Sequence, residues 1–188
     1  MVSSSRPPRR PPPHVTVREL DSGDYDAVIR LASELDLAER YLRFLTRYPT
    51  YIGQWALSLT TPSDDACALG AFEAQELIGI ADYVESTDGG CAEVAVVVAH
   101  EQHQRGIGTL LLYELGRRAQ AAGLHCLVGM VLAENSPMLE VINDAGWPVD
   151  QRRDGDVVRV RVALDNAGSG LAHHDDRGAR GLDHSPTD

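Results

Sequence analysis

The sequence predicts one mixed α/β (α+β) domain, and three observations carry that reading. Glu93-Val94-Ala95-Val96-Val97-Val98 is β-branched and apolar, the composition of a buried strand. A glycine-bearing loop, His103-Gln104-Arg105-Gly106-Ile107-Gly108-Thr109, then leads into Leu110 to Arg118, which reads as helix. Beyond the glycine stop at Gly123, His125 to Leu132 is apolar throughout, as a buried parallel strand requires.

The remaining elements follow in order. Residues 1–13 contain Arg6-Pro7-Pro8-Arg9-Arg10-Pro11-Pro12-Pro13, which cannot bury apolar surface and reads as a disordered, partly polyproline arm. Folded sequence starts at His14, with a strand to Leu20, and Ser22 is the expected N-cap of a helix to about Leu35. Tyr25, Val28, Ile29, Leu31 and Ala32 give that helix one apolar face. Asp36 is read as the cap of a second helix through Tyr41 and Leu45, and Ile52 to Leu59 as a short third. Strands Cys67 to Glu73 and Leu77 to Val84 are separated by Ala74-Gln75-Glu76 as a hairpin, so four strands precede the main helix. Ser136-Pro137 opens a last helix, and Gly146 to Gln151 pairs with Asp156 to Leu164 around Asp154-Gly155. Residues 165–188, rich in Gly, Asp and His, read as a disordered tail, with His173, His174 and His184 solvated rather than metal-binding. The domain is therefore placed at residues 14–164.

Composition narrows the function. With 188 residues, 43% hydrophobic and 24% charged, the chain is long enough for one core. A formal charge of −11 argues against a nucleic-acid binder, which shows a basic stripe. All 17 basic residues are arginine, a bias that GC-rich codon usage explains. Cys67, Cys91 and Cys126 are widely spaced, without Cys-x-x-Cys, and are expected to be free, reduced and buried. No stretch reaches the ~20 apolar residues of a membrane span, and prolines follow Arg9-Arg10 where an export signal needs an apolar run. These features predict a cytoplasmic protein with no membrane and no metal requirement.

The strand–loop–helix centre makes an anion site. The first N–H groups of a helix have no intrahelical partner and lie at the positive end of its dipole, so a pyrophosphate suits them. Gly106 and Gly108 let the main chain approach such a ligand. A Rossmann turn would want a third glycine at Leu111, and a Walker loop would want Gly-Lys-Ser/Thr; neither fits.

Gln104-Arg105-Gly106-Ile107-Gly108-Thr109 resembles the acyl-CoA pyrophosphate loop of the GCN5-related N-acetyltransferases (GNAT), with His103 at the position usually held by Gln or Arg. Tyr41-Leu42-Arg43-Phe44, Ala92 to Val98, Gly129 to Asn135, and Met138-Leu139 with Gly146-Trp147 are similar to the acetyltransferase domain of Pat-type bacterial protein lysine acetyltransferases, over roughly residues 14–164. The resemblance implies a GNAT fold, a central mixed and mostly antiparallel sheet splayed between strands 4 and 5 with flanking helices. It implies acetyl-CoA as co-substrate, pantetheine pairing near Val96, Val97 and Val98, phosphates on His103, Gln104, Arg105, Gly106, Ile107, Gly108 and Thr109, and a CoA-arm contact at Asn135. Helix-capping is the other reading of Asn135.

The same resemblance implies the chemistry. A lysine of reference pKa about 10.4 is neutral in roughly one part in two thousand at pH 7, so a general base near it matters. Glu93 holds the position of that base, and burial beside valines is expected to raise its pKa. The tyrosine that many members use to protonate the thiolate falls on Ile142, so no general acid is assigned, and Tyr113 is expected to pack. Tyr41, Arg43 and Tyr51 are candidate acceptor contacts. The implied acceptor is an exposed protein lysine, one candidate being an acyl-CoA synthetase, with the acidic surface favouring a basic approach region and the enzyme acting as a monomer or weak dimer. The alternatives are a small-molecule amine or antibiotic N-acetyltransferase, and a non-catalytic acyl-CoA-binding module.

Overall fold

The computed structural model describes residues 14–35, 51–87 and 90–164. The expected arm, the tail with its histidines, and the helix from Asp36 with Tyr41 and Arg43 lie outside them. Seven strands form one sheet: β1 (Val15–Glu19), β2 (Ala66–Glu73), β3 (Glu76–Glu85), β4 (Cys91–Val98), β5 (Cys126–Leu132), β6 (Val149–Asp154) and β7 (Val157–Ala163), in the order β1-β2-β3-β4-β5-β7-β6. Four α-helices are described: α1 (Tyr25–Glu34), α2 (Ile52–Thr60), α3 (Ile107–Ala121) and α4 (Ser136–Asp144). Among the described residues no helix is long and apolar enough to cross a membrane.

Every neighbouring pair is antiparallel except β4 and β5, which run parallel. Parallel pairing needs a crossover, and α3 supplies it. The pairing is short: Cys91, Ala92 and Glu93 oppose Cys126, Leu127 and Val128, and no later residues of the two strands pair. β5 instead pairs with β7 along its whole length, from Cys126↔Ala163 to Leu132↔Val157, so it is parallel on one edge only. The sheet is thus splayed beyond Glu93.

Two cores cover its faces. On one face, α3 buries Ile107, Leu111, Leu112, Leu115 and Ala119 against Ala92, Leu127 and Val160, with α4 adding Ile142. Each fully buried leucine contributes about 1.5–3 kcal/mol. On the other face, α1 and α2 bury Val28, Leu31, Ala56 and Leu59 against Leu77, Ile80 and Val97. Even-numbered β4 residues therefore face α3 and odd-numbered ones, Glu93 among them, face the α1/α2 side.

Several expectations shift locally. The cap before α1 is Asp21 rather than Ser22: its Oδ1 accepts from Gly23 N at 2.8 Å while Asp24 Oδ2 accepts from Asp21 N at 2.9 Å, a reciprocal box over the Ser22–Asp24 turn. The closing strands are β6 and β7 as given above, moved from Gly146–Gln151 and Asp156–Leu164, because Gly146 takes φ 81° and cannot begin a strand. The hairpin between β2 and β3 turns on Ala74 and Gln75, both at positive φ, a two-residue turn built without glycine.

Cys91 and Cys126 are joined in a disulfide, which corrects the expectation of three free thiols. The reason is register. The two residues oppose each other at the start of the parallel pair with Cα atoms 4.7 Å apart, within bridging range, whereas 35 residues separate them in sequence. Cys67 remains free, and burial first, then Asp82, pushes its thiol up to about 11, so it stays protonated near neutrality.

Asp24 anchors the start of α1. Its two oxygens accept from Arg18 Nη1 and Nη2 at 2.7 Å each, and the guanidinium also stacks 4.1 Å from the Phe72 ring centroid. The Arg18 hydrogen bond holds the Asp24 carboxyl below its ordinary value. A carboxyl lowered on folding contributes stability above its unfolded value, and that contribution disappears as pH falls through the folded value. Asp24→Asn is therefore expected to flatten the stability-against-pH curve below about pH 4, as read from urea unfolding. An unchanged acid limb would contradict the linkage.

Candidate active site

The centre of the site is the run from the end of β4 into α3. Gln104 and Gly106 take positive φ, 61° and 78°, with Arg105 between them outside that region. Alternation of this kind turns successive N–H groups toward a common concavity, an anion nest. Gly106 is the N-cap of α3, no side chain caps the helix, and the first intrahelical bond runs from Leu110 N to Gly106 O at 3.0 Å. The N–H groups of Ile107, Gly108 and Thr109 are left for a ligand, at the positive end of a 15-residue helix.

The two glycines have different causes. A Cβ on Gly106 would meet nothing within 4 Å, so φ 78° is what requires glycine there. A Cβ on Gly108 would meet Val141 Cγ2 at 3.2 Å, so its role is the close packing of α3 on α4. The Ile107 side chain is buried in the core, leaving only its main chain for a ligand.

Other side chains of the run already have partners. His103 Nε2–H donates to the Val98 carbonyl at 3.0 Å and its ring lies 5.2 Å from that of His100. Arg105 donates from Nη1 and Nη2 to Glu73 at 2.9 and 2.6 Å, and also to Gln102 Oε1. The pairing holds the Glu73 carboxyl below its ordinary value and raises Arg105. It ties the loop to the end of β2.

β4 presents a free edge to the splay. Ala99 N donates to Ile78 O, and residue alternation then turns the main-chain groups of Val97 toward β3 and those of Val94, Val96 and Val98 toward the gap. Val98 O is engaged by His103 and Val94 borders the last paired position, so Val96 between them has both groups open to an extended ligand. Across the gap, a Cβ on Gly129 would meet Val94 O at 3.3 Å, so a side chain there would press the two strands apart. Asn135 caps α4, its Oδ1 accepting from Met138 N at 3.2 Å, which is the capping reading.

Glu93 stands at the last paired position before the splay. Its side chain is exposed, which corrects the expected burial: among the described residues α1 and α2 pack on Val97 at the other end of β4 and do not cover Glu93. It lines a cleft of about 500 Å³ with Val128, Met130, Arg159 and Arg161. Ile142 is buried in the α3-side core and Tyr113 packs 6.0 Å from Trp147, so neither reaches this face. Tyr51 is 66% exposed at the start of α2. Among the described residues no group of His, Cys, Asp or Glu is arranged to hold a metal.

The sequence reading missed the arginines of the cleft. Their signal was present as the alternation Val158-Arg159-Val160-Arg161-Val162, a strand with one apolar and one cationic face.

A sheet opened between two parallel strands, with a nest and an uncapped helix N-terminus at the end of one of them, is an arrangement suited to a long, phosphorylated ligand. Comparison with known families makes this specific: the Acetyltransferase (GNAT) family matches residues 29–147, and the chain belongs to that family of acetyl-CoA-dependent N-acetyltransferases. Acetyl-CoA is the co-substrate. The fold is similar to that of the GNAT domain of the S. lividans PAT protein, with a TM-score of 0.71 and 23% identity over 79% of this chain and 90% of that one. It is also similar to spermidine N-acetyltransferase from Vibrio cholerae in complex with CoA and spermine (TM-score 0.63, 20% identity, 80% and 96% covered). A third likeness is yncA, a putative acetyltransferase from Salmonella typhimurium with acetyl-CoA (TM-score 0.63, 19% identity, 85% and 99% covered). No curated protein matches the sequence significantly.

Proposed function

We propose that the chain moves acetyl from acetyl-CoA to the side-chain amine of a protein lysine by direct attack, with Glu93 as general base. The observation that carries this is the position of Glu93: last paired residue of β4, exposed, on the floor of an open cleft, on the face opposite α3. The cofactor arm would enter from the α3 end, with its pyrophosphate on the N–H groups of Gly106 to Thr109 and its extended part beside Val96. The acceptor would come from the Glu93 face.

In that reading the amine nitrogen attacks the thioester carbonyl, the N–C bond forms and the C–S bond breaks. The amine proton passes to Glu93, directly or through water, and the thiolate leaves to be protonated by solvent, since a thiol of pKa about 8.5 is an adequate leaving group. Val96 N–H is the donor placed to polarise the carbonyl. An exposed base suits a macromolecular acceptor, because docking of a protein over the cleft expels the water that reaches Glu93 in the free enzyme.

The resemblance of the sequence to Pat-type enzymes is what favours a lysine acceptor and makes an acyl-CoA synthetase the first to test, with the enzyme acting as a monomer or weak dimer. Acetyl-CoA-dependent thiol release with a synthetase and with a panel of small amines decides the class. Turnover with the protein, accompanied by acetyl-lysine in its peptides, is the expected result. Turnover with small amines alone would replace the protein acceptor by a small one, and CoA binding without turnover would reduce the chain to a binding module.

A further inference from the structure

The Glu93 face continues across the sheet as an arginine-rich surface. Strand register sets Glu93 of β4, Val128 of β5, Arg161 of β7 and Asp150 of β6 in one row, and Met130, Arg159 and Arg152 in the next. All of them line the same cleft. Three guanidiniums thus face two carboxylates in the cleft of a chain whose net charge is −11.

Their charges are not equally compensated. Arg152 Nε lies 3.2 Å from Asp150 Oδ2, and Arg159 Nη2 lies 3.5 Å from Asp154 Oδ2. Arg161 has a soft contact instead, Nη1 to Cys91 Sγ at 3.4 Å, and among the described residues no carboxylate lies within 4.0 Å of it. The least compensated guanidinium is therefore the one in Glu93's own row. Two strand spacings separate them, about 10 Å of sheet.

We infer that Arg161, seconded by Arg159, selects an acceptor bearing an anionic group, so that the favoured lysine lies in acidic sequence. This rests on Glu93 as base and on a protein lysine as acceptor. In an extended peptide, residues i and i+2 share a face about 6.6–6.8 Å apart, so a lysine over Glu93 places a carboxylate two residues away toward β7. A guanidinium meets a carboxylate as a two-pronged donor, which a compact ammonium does not match. Met130, 58% exposed, and Val128 supply an apolar floor between the two charges. The cleft thereby reverses the expectation that the acidic surface favours a basic approach region: the overall charge is negative, but the surface next to the base is not.

The test uses three peptides of equal length with one lysine each, flanked at both i−2 and i+2 by Asp, Asn or Arg, assayed by kcat/KM with wild type, Arg161→Met and Arg161→Lys. CoA affinity is titrated alongside as the check on folding. For wild type the acidic peptide is expected to exceed the neutral one by about tenfold, the scale of a charged hydrogen bond, with the basic peptide slowest. In Arg161→Met the acidic-to-neutral ratio falls toward one at undiminished CoA affinity, and Arg161→Lys restores part of it. Equal rates for acidic and neutral peptides with wild type would overturn the inference while lysine acetylation stood. Thiol release with small amines and with none of the peptides would overturn the protein-lysine reading, and the inference with it.

Discussion

Glu93→Gln is expected to lower turnover at least a hundredfold while leaving CoA affinity unchanged. Removing the proton of the ammonium at neutral pH costs on the order of 4–5 kcal/mol, and the tetrahedral adduct must lose a further proton; glutamine can hold the same position and accept a hydrogen bond but cannot take a proton away. General bases contribute typically 10²–10⁴-fold, which sets the scale. The substitution is nearly isosteric and the side chain is exposed, so stability should not move. The main-chain cradle of α3 lies on the opposite face of the sheet, so CoA titration separates the two functions. Steady-state thiol release with titrated CoA affinity measures both. Full turnover in the variant would remove Glu93 from the chemistry, and lost CoA affinity would make it a cofactor contact.

The second large effect is on stability: reducing Cys91–Cys126 is expected to cost about 3–4 kcal/mol, the loop-closure entropy of a link spanning 35 residues. The link matters because of where it falls. The β1–β4 part of the sheet meets the β5–β7–β6 part through only three paired positions, and the disulfide joins the first of them. The strands separate beyond Glu93, where the proposed ligand would enter, and the covalent bond sits at the closed end of the splay. Urea unfolding with and without reductant reads the difference. Coincident curves would show that the bond contributes nothing to the folded state.

Much of this was legible in the sequence, and the reason is local. The β4 strand, the loop and α3 are specified by residues within thirty positions of one another: a β-branched run, a glycine that only a left-handed cap needs, and a leucine-rich helix. The splayed mixed sheet followed from the family resemblance and is what the strand order shows. What sequence did not reveal depends on register between distant strands. Cys91 faces Cys126 only because β4 and β5 run parallel from those two residues, and Glu93, Arg161 and Asp150 share a row only because β7 lies between β5 and β6. Glu93 looked buried because its neighbours are valines, yet side chains alternate along a strand, and its own side chain is exposed, with no described helix packed on it. The pairing of Arg105 with Glu73, 32 residues away, through two hydrogen bonds was likewise not visible in the sequence.

The proposed chemistry requires that the N-terminus of α3 hold the CoA pyrophosphate. Calorimetric titration of CoA and of pantetheine into wild type and Gly106→Val tests it. A β-branched residue at φ 78° costs about 1–2 kcal/mol in backbone strain, so the loop would leave the conformation that aims its N–H groups. The expected result is that wild type binds CoA well above pantetheine, and that the variant, folded by circular dichroism, loses at least tenfold in CoA affinity and most of the difference between the two ligands. Equal affinity of wild type for CoA and pantetheine, or undiminished CoA binding in Gly106→Val, would contradict it.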